Sequence, residues 1–148
     1  MAQLYLDDFA PGQVYPGVTT PCTVADFLTF ARITGDAHPI HYDADYAAKT
    51  RFGKPLAHGL LVAAYSALGA TPLTERVHDS MVAMLEVNFR FLKPVFAGDT
   101  LTSRFEVVEA SRKPGKDSGI LRFRVTLANQ ADEIVVEAIH TYMMRVRP

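Results

Sequence analysis
The sequence is 148 residues long, 49% apolar and 21% charged, with a formal net charge of -1. That length suits one domain spanning residues 1–148, which buries roughly 70% of its unfolded surface and needs no disulfide or metal staple to fold. The near-neutral charge gives no electrostatic basis for binding nucleic acid or an anionic membrane, and the single cysteine, Cys22, has no intramolecular partner, which fits a reducing cytoplasm.

The first residues, MAQLYLDDFAPG, carry acids where a secretory leader carries basic groups. Residues 1–22 include Pro11, Gly12, Pro16, Gly17 and Pro21 and are expected to form an arm with one short strand. Thr23 then offers an N-cap hydroxyl, and Asp26 three residues later makes a capping box with Asp in place of Glu. Phe27, Phe30, Ala31 and Thr34 follow at helical spacing, and Gly35 is placed to end the helix. The polar stretch TGDAHPIHYD is stopped by Pro39. Asp43 can cap a second short helix over residues 44–49, and residues 51–58 (RFGKPLAH) read as a loop. Residues 59–70 (GLLVAAYSALGA) are apolar on nearly every face, the pattern of a long central helix buried in a core and ended by Pro72. This stretch falls short of the about 20 apolar residues that a membrane span requires. Residues 74–80 (TERVHDS) read as a polar loop.

The second half changes period. Residues 81–91 (MVAMLEVNFRF) alternate in part, with Leu85, Val87, Phe89 and Phe91 on one face and Glu86, Asn88 and Arg90 on the other. Residues 100–108, 120–127 and 134–146 are three more runs rich in β-branched and aromatic residues. Helices followed by antiparallel strands define an α+β class: one domain in which a curved antiparallel sheet of about five strands wraps the apolar helix.

Three ionisable residues, Asp36, His38 and His41, crowd one short turn, and His58 follows in the next loop. Imidazole titrates near neutral pH, and a carboxylate beside it can orient it or accept its proton. Gly35 and Pro39 restrict the turn, and Phe30, Ile33 and Ile40 supply apolar surroundings that strengthen charge interactions. Gly59 opens the apolar helix, where free N–H groups can polarise a carbonyl oxygen and glycine allows close approach. A proton-transfer pair plus an oxyanion site suits water addition β to a carbonyl. Nucleophilic catalysis lacks a G-x-S-x-G elbow. Asp36 with His38-Pro-Ile-His41 also imitates a two-His-one-carboxylate metal site, but Pro39 prevents an i,i+3 pair on a regular helix, and no metal is expected.

Residues 30–41 (FARITGDAHPIH), with Ala47 six residues on, resemble the signature of the MaoC-like, R-specific enoyl-CoA hydratases (acyl dehydratases) of the hot-dog fold. Ala57-His58-Gly59-Leu60 resembles that family's second landmark and FLKPVFAGDTL its strand–turn–strand segment, so the likeness runs through about residues 10–146. The resemblance implies a homodimer paired edge to edge, open to assembly into dimers of dimers, with the active site near the interface. It implies reversible syn hydration of a trans-2-enoyl-CoA to a (3R)-hydroxyacyl-CoA, with no cofactor. It assigns water activation to Asp36 and His41 and the thioester oxygen to the Gly59 N–H. His38 stands where the family usually has asparagine, as an orienter of the water or of Asp36. His58 and Tyr65 are further candidates for substrate contact, with Met84 lining an acyl pocket, and the basic hairpin Arg112, Lys113 and Lys116 for the CoA phosphates. Two alternatives remain open at this stage: an acyl-CoA thioesterase on the same fold, and a non-catalytic acyl-CoA binding module.

Overall fold
A computed structural model describes residues 2–148. Helix α1 (Val24–Thr34) begins where Thr23 accepts from the Asp26 amide and Asp26 reaches back to the Thr23 amide. It ends at Gly35, whose φ of 80° lies in the left-handed region that glycine adopts without a Cβ penalty. Asp43 caps α2 (Ala44–Ala48) through the Tyr46 amide. Five strands follow the order β1 (Val14–Pro21), β3 (Thr100–Arg112), β4 (Ser118–Ala128), β5 (Ile134–Arg145), β2 (Met81–Phe91), with every neighbouring pair antiparallel. The edges are therefore β1 and β2.

Alternation along the strands makes one inner face and one outer face. Leu101, Phe105 and Val107 of β3, Leu121, Phe123 and Val125 of β4, and Ala138, His140 and Tyr142 of β5 point inward and are buried. Each large apolar side chain withdrawn from water here contributes about 1.5–3 kcal/mol. The outer face carries ion pairs instead: Arg104 and Arg124 with Glu106, Arg122 with Glu109, Arg90 with Glu137. The expected arm is more firmly built than its Pro and Gly content implied. A 3-10 turn at Leu6–Asp8 drops Leu6 and Phe9 into the main core, and β1 pairs with β3 over the whole of its length apart from one bulge. A Cβ at Gly17 would fall 1.7 Å from Ser103 Oγ and 2.6 Å from the Ala70 carbonyl oxygen, so this close strand approach requires glycine.

The apolar stretch 59–70 packs on the inner face, as expected, but as a shorter helix than its length implied. Helix α3 covers Gly59–Ala64; turns follow, then a 3-10 segment at Leu68–Ala70. Ser66 turns its hydroxyl back on the Ala63 carbonyl, and Ala67 takes an extended ψ of 153°, which breaks the helical ladder. Its faces also differ: Val62 and Ala63 are buried, whereas Leu60 is 70% exposed toward β2. The polar stretch after Pro72 is not simply a loop, because α4 (Leu73–Arg76) forms there and buries Leu73. In β2 a bulge between Met84 and Glu86 shifts the alternation. Met84 therefore joins Val87 and Phe89 in facing α3, while Leu85 and Phe91 stay exposed. Cys22 is 1% exposed beside Phe27 and Val62, and burial pushes its thiol up to about 12. No helix among the described residues is long and apolar enough to cross a membrane.

Candidate active site
The turn after α1 is fastened at both ends. Gly35 donates to the Ala31 carbonyl, the Asp36 amide binds Thr34 Oγ1, and the Tyr42 hydroxyl donates to the Ala37 carbonyl at 3.0 Å. Pro39–His41 form a 3-10 turn, and the Asp43 amide closes it onto the Pro39 carbonyl at 2.8 Å. This places Asp36, exposed, and His41, half-buried, on one side of the segment.

Carbonyl oxygens fix the proton on each nearby ring. His41 Nδ1–H donates to the Leu56 carbonyl at 2.6 Å, which leaves a lone pair on Nε2. His58 Nε2–H donates to the main-chain carbonyl of Asp36 at 2.9 Å, across 22 residues. His58 is 2% exposed, and its Nδ1 finds no hydrogen-bond partner among the described residues. The two imidazoles stack, with centroids 3.6 Å apart and 21° between planes, and Phe30 lies against the His58 ring at 4.9 Å. Burial holds the His41 ring below its ordinary pKa, and the His58 and His38 rings beside it act in the same direction; the Leu56 carbonyl and Asp36 oppose them. The balance favours the neutral form of the His41 ring.

An Asp36 carboxylate oxygen and a ring nitrogen from each of His41 and His58 lie within 4.8 Å of one another. Such a trio could in principle hold a cation. His41 and His58 each commit one ring nitrogen to a main-chain carbonyl, which leaves His41 Nε2 and the unpartnered His58 Nδ1 as their free nitrogens. No direct hydrogen bond links the Asp36 carboxylate with His41, and the gap between them suits a bridging water.

Gly59 begins α3 and shares a cleft with Asp36 and His58, while His41 stacks behind the His58 ring and does not line that cleft. A cleft of about 290 Å³ is lined by Phe30, Thr34, Asp36, His58, Gly59 and Phe91, with Leu60 at its margin. The first amides of a helix have no intrahelical acceptor, and at Gly59 nothing closer than Phe91, 3.7 Å from where a Cβ would sit, covers the backbone.

The other sequence candidates fall elsewhere. His38 is exposed; its Nδ1 accepts from the Ile40 amide at 3.2 Å, which caps its own turn, and its ring meets Tyr46 edge-on. Tyr65 packs against the cluster around Cys22 and Phe27 rather than lining the cleft, and burial raises its hydroxyl pKa. Met84 lines a separate cavity of about 300 Å³ between α3 and β2, which shares Leu60 with the cleft. Arg112, Lys113 and Lys116 sit at the far end of the sheet. Arg112 pairs with Gly119, Gly119 with Met144, and Met144 with Met81, whereas the cleft lies by Phe91. Ten residues of strand separate those ends, about 33 Å. Phe30, expected among the apolar surroundings, lines the cleft, and Thr34 and Phe91 are cleft residues that nothing in the sequence assigned to the site.

Comparison with known proteins identifies the family and the fold. Residues 8–129 match the family described as MaoC like domain. A 3-hydroxybutyryl-CoA dehydratase from Methylorubrum extorquens is 36% identical over 57% of this chain, and the match spans 52% of that protein, about half its length. An (R)-specific enoyl-CoA hydratase from Aeromonas caviae is 30% identical over 78% of this chain and 82% of its own. Among solved structures, a monoamine oxidase regulatory protein from Archaeoglobus superposes with a TM-score of 0.90 at 33% identity, covering 100% of this chain and 98% of that one. A double hot-dog protein from Mycobacterium tuberculosis superposes with a TM-score of 0.79 at 28% identity, over 99% of this chain and 45% of that one. The fold is a hot-dog.

Proposed function
Since the chain belongs to the MaoC-like domain family, we propose that it is a hydro-lyase that adds water reversibly to trans-2-enoyl-CoA thioesters to give (3R)-3-hydroxyacyl-CoA. The observation that carries this reading is the gap between the Asp36 carboxylate and the His41 ring, beyond direct contact yet within 4.8 Å. A water held there gives up a proton to His41 Nε2 while Asp36 orients it. Its oxygen bonds to C3 of the enoyl group, and the C2–C3 π electrons move through the carbonyl carbon onto the thioester oxygen. The N–H of Gly59 stabilises that oxyanion. The proton then passes from His41 to C2, which completes the addition on one face and restores the neutral ring. The reverse sequence is dehydration. Nothing in it calls for a cofactor.

The same reading makes the protein a homodimer. β2 is an unpaired edge, and Val82, Met84 and Leu85 are about half exposed along it, the kind of surface a folded protein covers. The single buried thiol remains in keeping with a reducing cytoplasm.

The test is to mix the protein with crotonyl-CoA and follow loss of the conjugated thioester absorbance, with a thiol reagent present in a parallel cuvette. Both hydration and thioester hydrolysis bleach the first, so the second decides: hydration leaves it silent, whereas a thioesterase releases thiol there.

A further inference from the structure
The turn and the residue that precedes α3 bring three donors together. One carboxylate oxygen of Asp36 and one ring nitrogen from each of His41 and His58 lie within 4.8 Å of one another. Zinc bonds to imidazole and carboxylate run about 2.0–2.2 Å, which sets tetrahedral ligands about 3.4 Å apart. The trio therefore has to draw in by at most about 1.4 Å, which rotation of the exposed Asp36 side chain and tilting of the half-buried His41 ring supply. Metal-binding histidines almost always donate their second ring N–H to a carbonyl, a carboxylate or water, which fixes the tautomer and leaves the other nitrogen for the ion. Both rings already do so: His41 Nδ1–H holds the Leu56 carbonyl at 2.6 Å, and His58 Nε2–H holds the Asp36 main-chain carbonyl at 2.9 Å. His58 Nδ1 is then a buried acceptor with no partner among the described residues, on a side chain only 2% exposed. Leaving such an atom bare is unfavourable, and a ligand that takes its lone pair relieves that. None of the ion pairs among the described residues uses Asp36.

We propose that Asp36, His41 and His58 bind a divalent cation that accepts imidazole, with zinc the redox-silent example, and that the bound ion shuts the site off by taking the place of the water. The sequence alone offered a different trio, Asp36 with His38 and His41. The fold exchanges His38, whose Nδ1 is spent on the Ile40 amide, for His58. Two nitrogens and one carboxylate suit zinc and disfavour magnesium and calcium, which take oxygen ligands. Asp36 and His58 also line the cleft, which gives the ion a route in and leaves room for water at its fourth position. The two rings are stacked at 3.6 Å, and converging them on one ion takes up part of the binding energy. Affinity is therefore micromolar, well short of a structural zinc site. The inhibition rests on the hydratase reading above; the binding does not.

Calorimetry on the untagged protein, stripped with EDTA, dialysed and then given zinc chloride, tests the binding without any substrate. One zinc per chain is expected, with a Kd of about 10 µM, and millimolar magnesium should give no binding heat. Asp36→Asn, His41→Ala and His58→Ala should each weaken zinc by about tenfold or more. His38→Ala and His78→Ala remove exposed histidines outside the trio and should leave the affinity where it was. Asp36→Asn and His41→Ala decide the matter if His58→Ala does not fold. In parallel, crotonyl-CoA hydration by the wild type should fall along the same zinc curve as the heat and return when EDTA is added. Absence of saturable zinc binding, or wild-type affinity in Asp36→Asn and His41→Ala, overturns the site. Zinc bound at the trio with an unaltered hydration rate overturns the inhibition. A protein that binds zinc as expected but hydrates no enoyl thioester keeps the metal site and loses the hydratase reading.

Discussion
The imidazole of His58 lies almost parallel to that of His41, 3.6 Å away, while its Nε2–H holds the Asp36 main-chain carbonyl. One buried ring therefore supports both members of the proposed water-activating pair, one by stacking and one by a hydrogen bond. His58 is a positioning residue in this arrangement. Replacing it with alanine should lower kcat by about 10²-fold, since small displacements of reacting groups cost that much, with little change in KM. The groups facing His41 are Asp36, His38, His58 and the Leu56 carbonyl. Removing the His58 ring lifts burial and a like-charged neighbour together, so the acid limb of the pH–rate profile should also move to higher pH. A variant that loses rate with its acid limb unmoved would show a purely structural role.

For the unaltered protein, the sign runs the other way. A general base must be unprotonated, and His41 is held below the ordinary histidine value of 6.5, chiefly by burial. Hydration should stay near its plateau as pH falls through 6.5 and decline only at more acid pH. Asp36→Asn and His41→Ala should each reduce kcat/KM by about 10²–10⁴-fold on the scale of a lost general acid–base group, with urea midpoints near that of the wild type at pH 7.

His140 sets an acid limit on the fold. It is 1% exposed and held to about 4 by burial, with no ion partner. The Ser66 hydroxyl donates to the Ala63 carbonyl, so its oxygen accepts from His140 Nε2–H, and His140 Nδ1 accepts from the Tyr142 hydroxyl. Only the neutral ring satisfies that chain. Between pH 4 and 6.5 the unfolded state binds more protons than the folded state, so stability rises with pH; it is fully present above 6.5 and is lost as pH falls toward 4. The loss from this residue amounts to about 3 kcal/mol. Urea melts from pH 7.5 to 4.5 should show it, and His140→Gln should flatten the slope.

Two glycines should respond differently to alanine. At Gly17 the new methyl meets two backbone carbonyls as well as Ser103 Oγ, and Gly17→Ala should cost about 3 kcal/mol. At Gly35 nothing stands within 4 Å, so Gly35→Ala should cost only the left-handed backbone penalty, about 1–2 kcal/mol. Thermal denaturation of both variants checks the order.

A charge on the open edge should break the proposed dimer. Leu85→Lys, on β2, should shift sedimentation at micromolar concentration from dimer toward monomer, whereas Thr19→Lys on the opposite edge strand β1 should not.

Much of the scaffold was legible because its signals are local. Thr23, Asp26 and Gly35 each act within four residues of themselves, as does Asp43, and they mark helix ends in the sequence as they do in space. The period-2 stretches of β3, β4 and β5 likewise declare their buried faces. The crowding of Asp36 and His41 could be read from one short turn. What could not be read depends on distant packing. Residues 59–70 are apolar all round, so periodicity gave no direction for Tyr65 and concealed the break at Ser66. The hairpin cations looked suited to phosphate until the strand register put them at the wrong end. The tie from His58 to Asp36 runs to a backbone carbonyl, and a backbone acceptor leaves no mark on residue type.

The turn bearing Asp36 and His41 is slung between a helix that has just ended and another about to start, with its amides tied at residues 35, 36, 37, 41, 42 and 43. Surface loops ordinarily open first when a protein breathes. This one is stitched like a rung between two rails, so the site stands assembled between turnovers and the substrate meets a finished mould. On the proposed reading the amides of this turn should exchange slowly with solvent whether or not an acyl thioester is bound, a pattern that hydrogen exchange on the free and ligand-mixed protein checks.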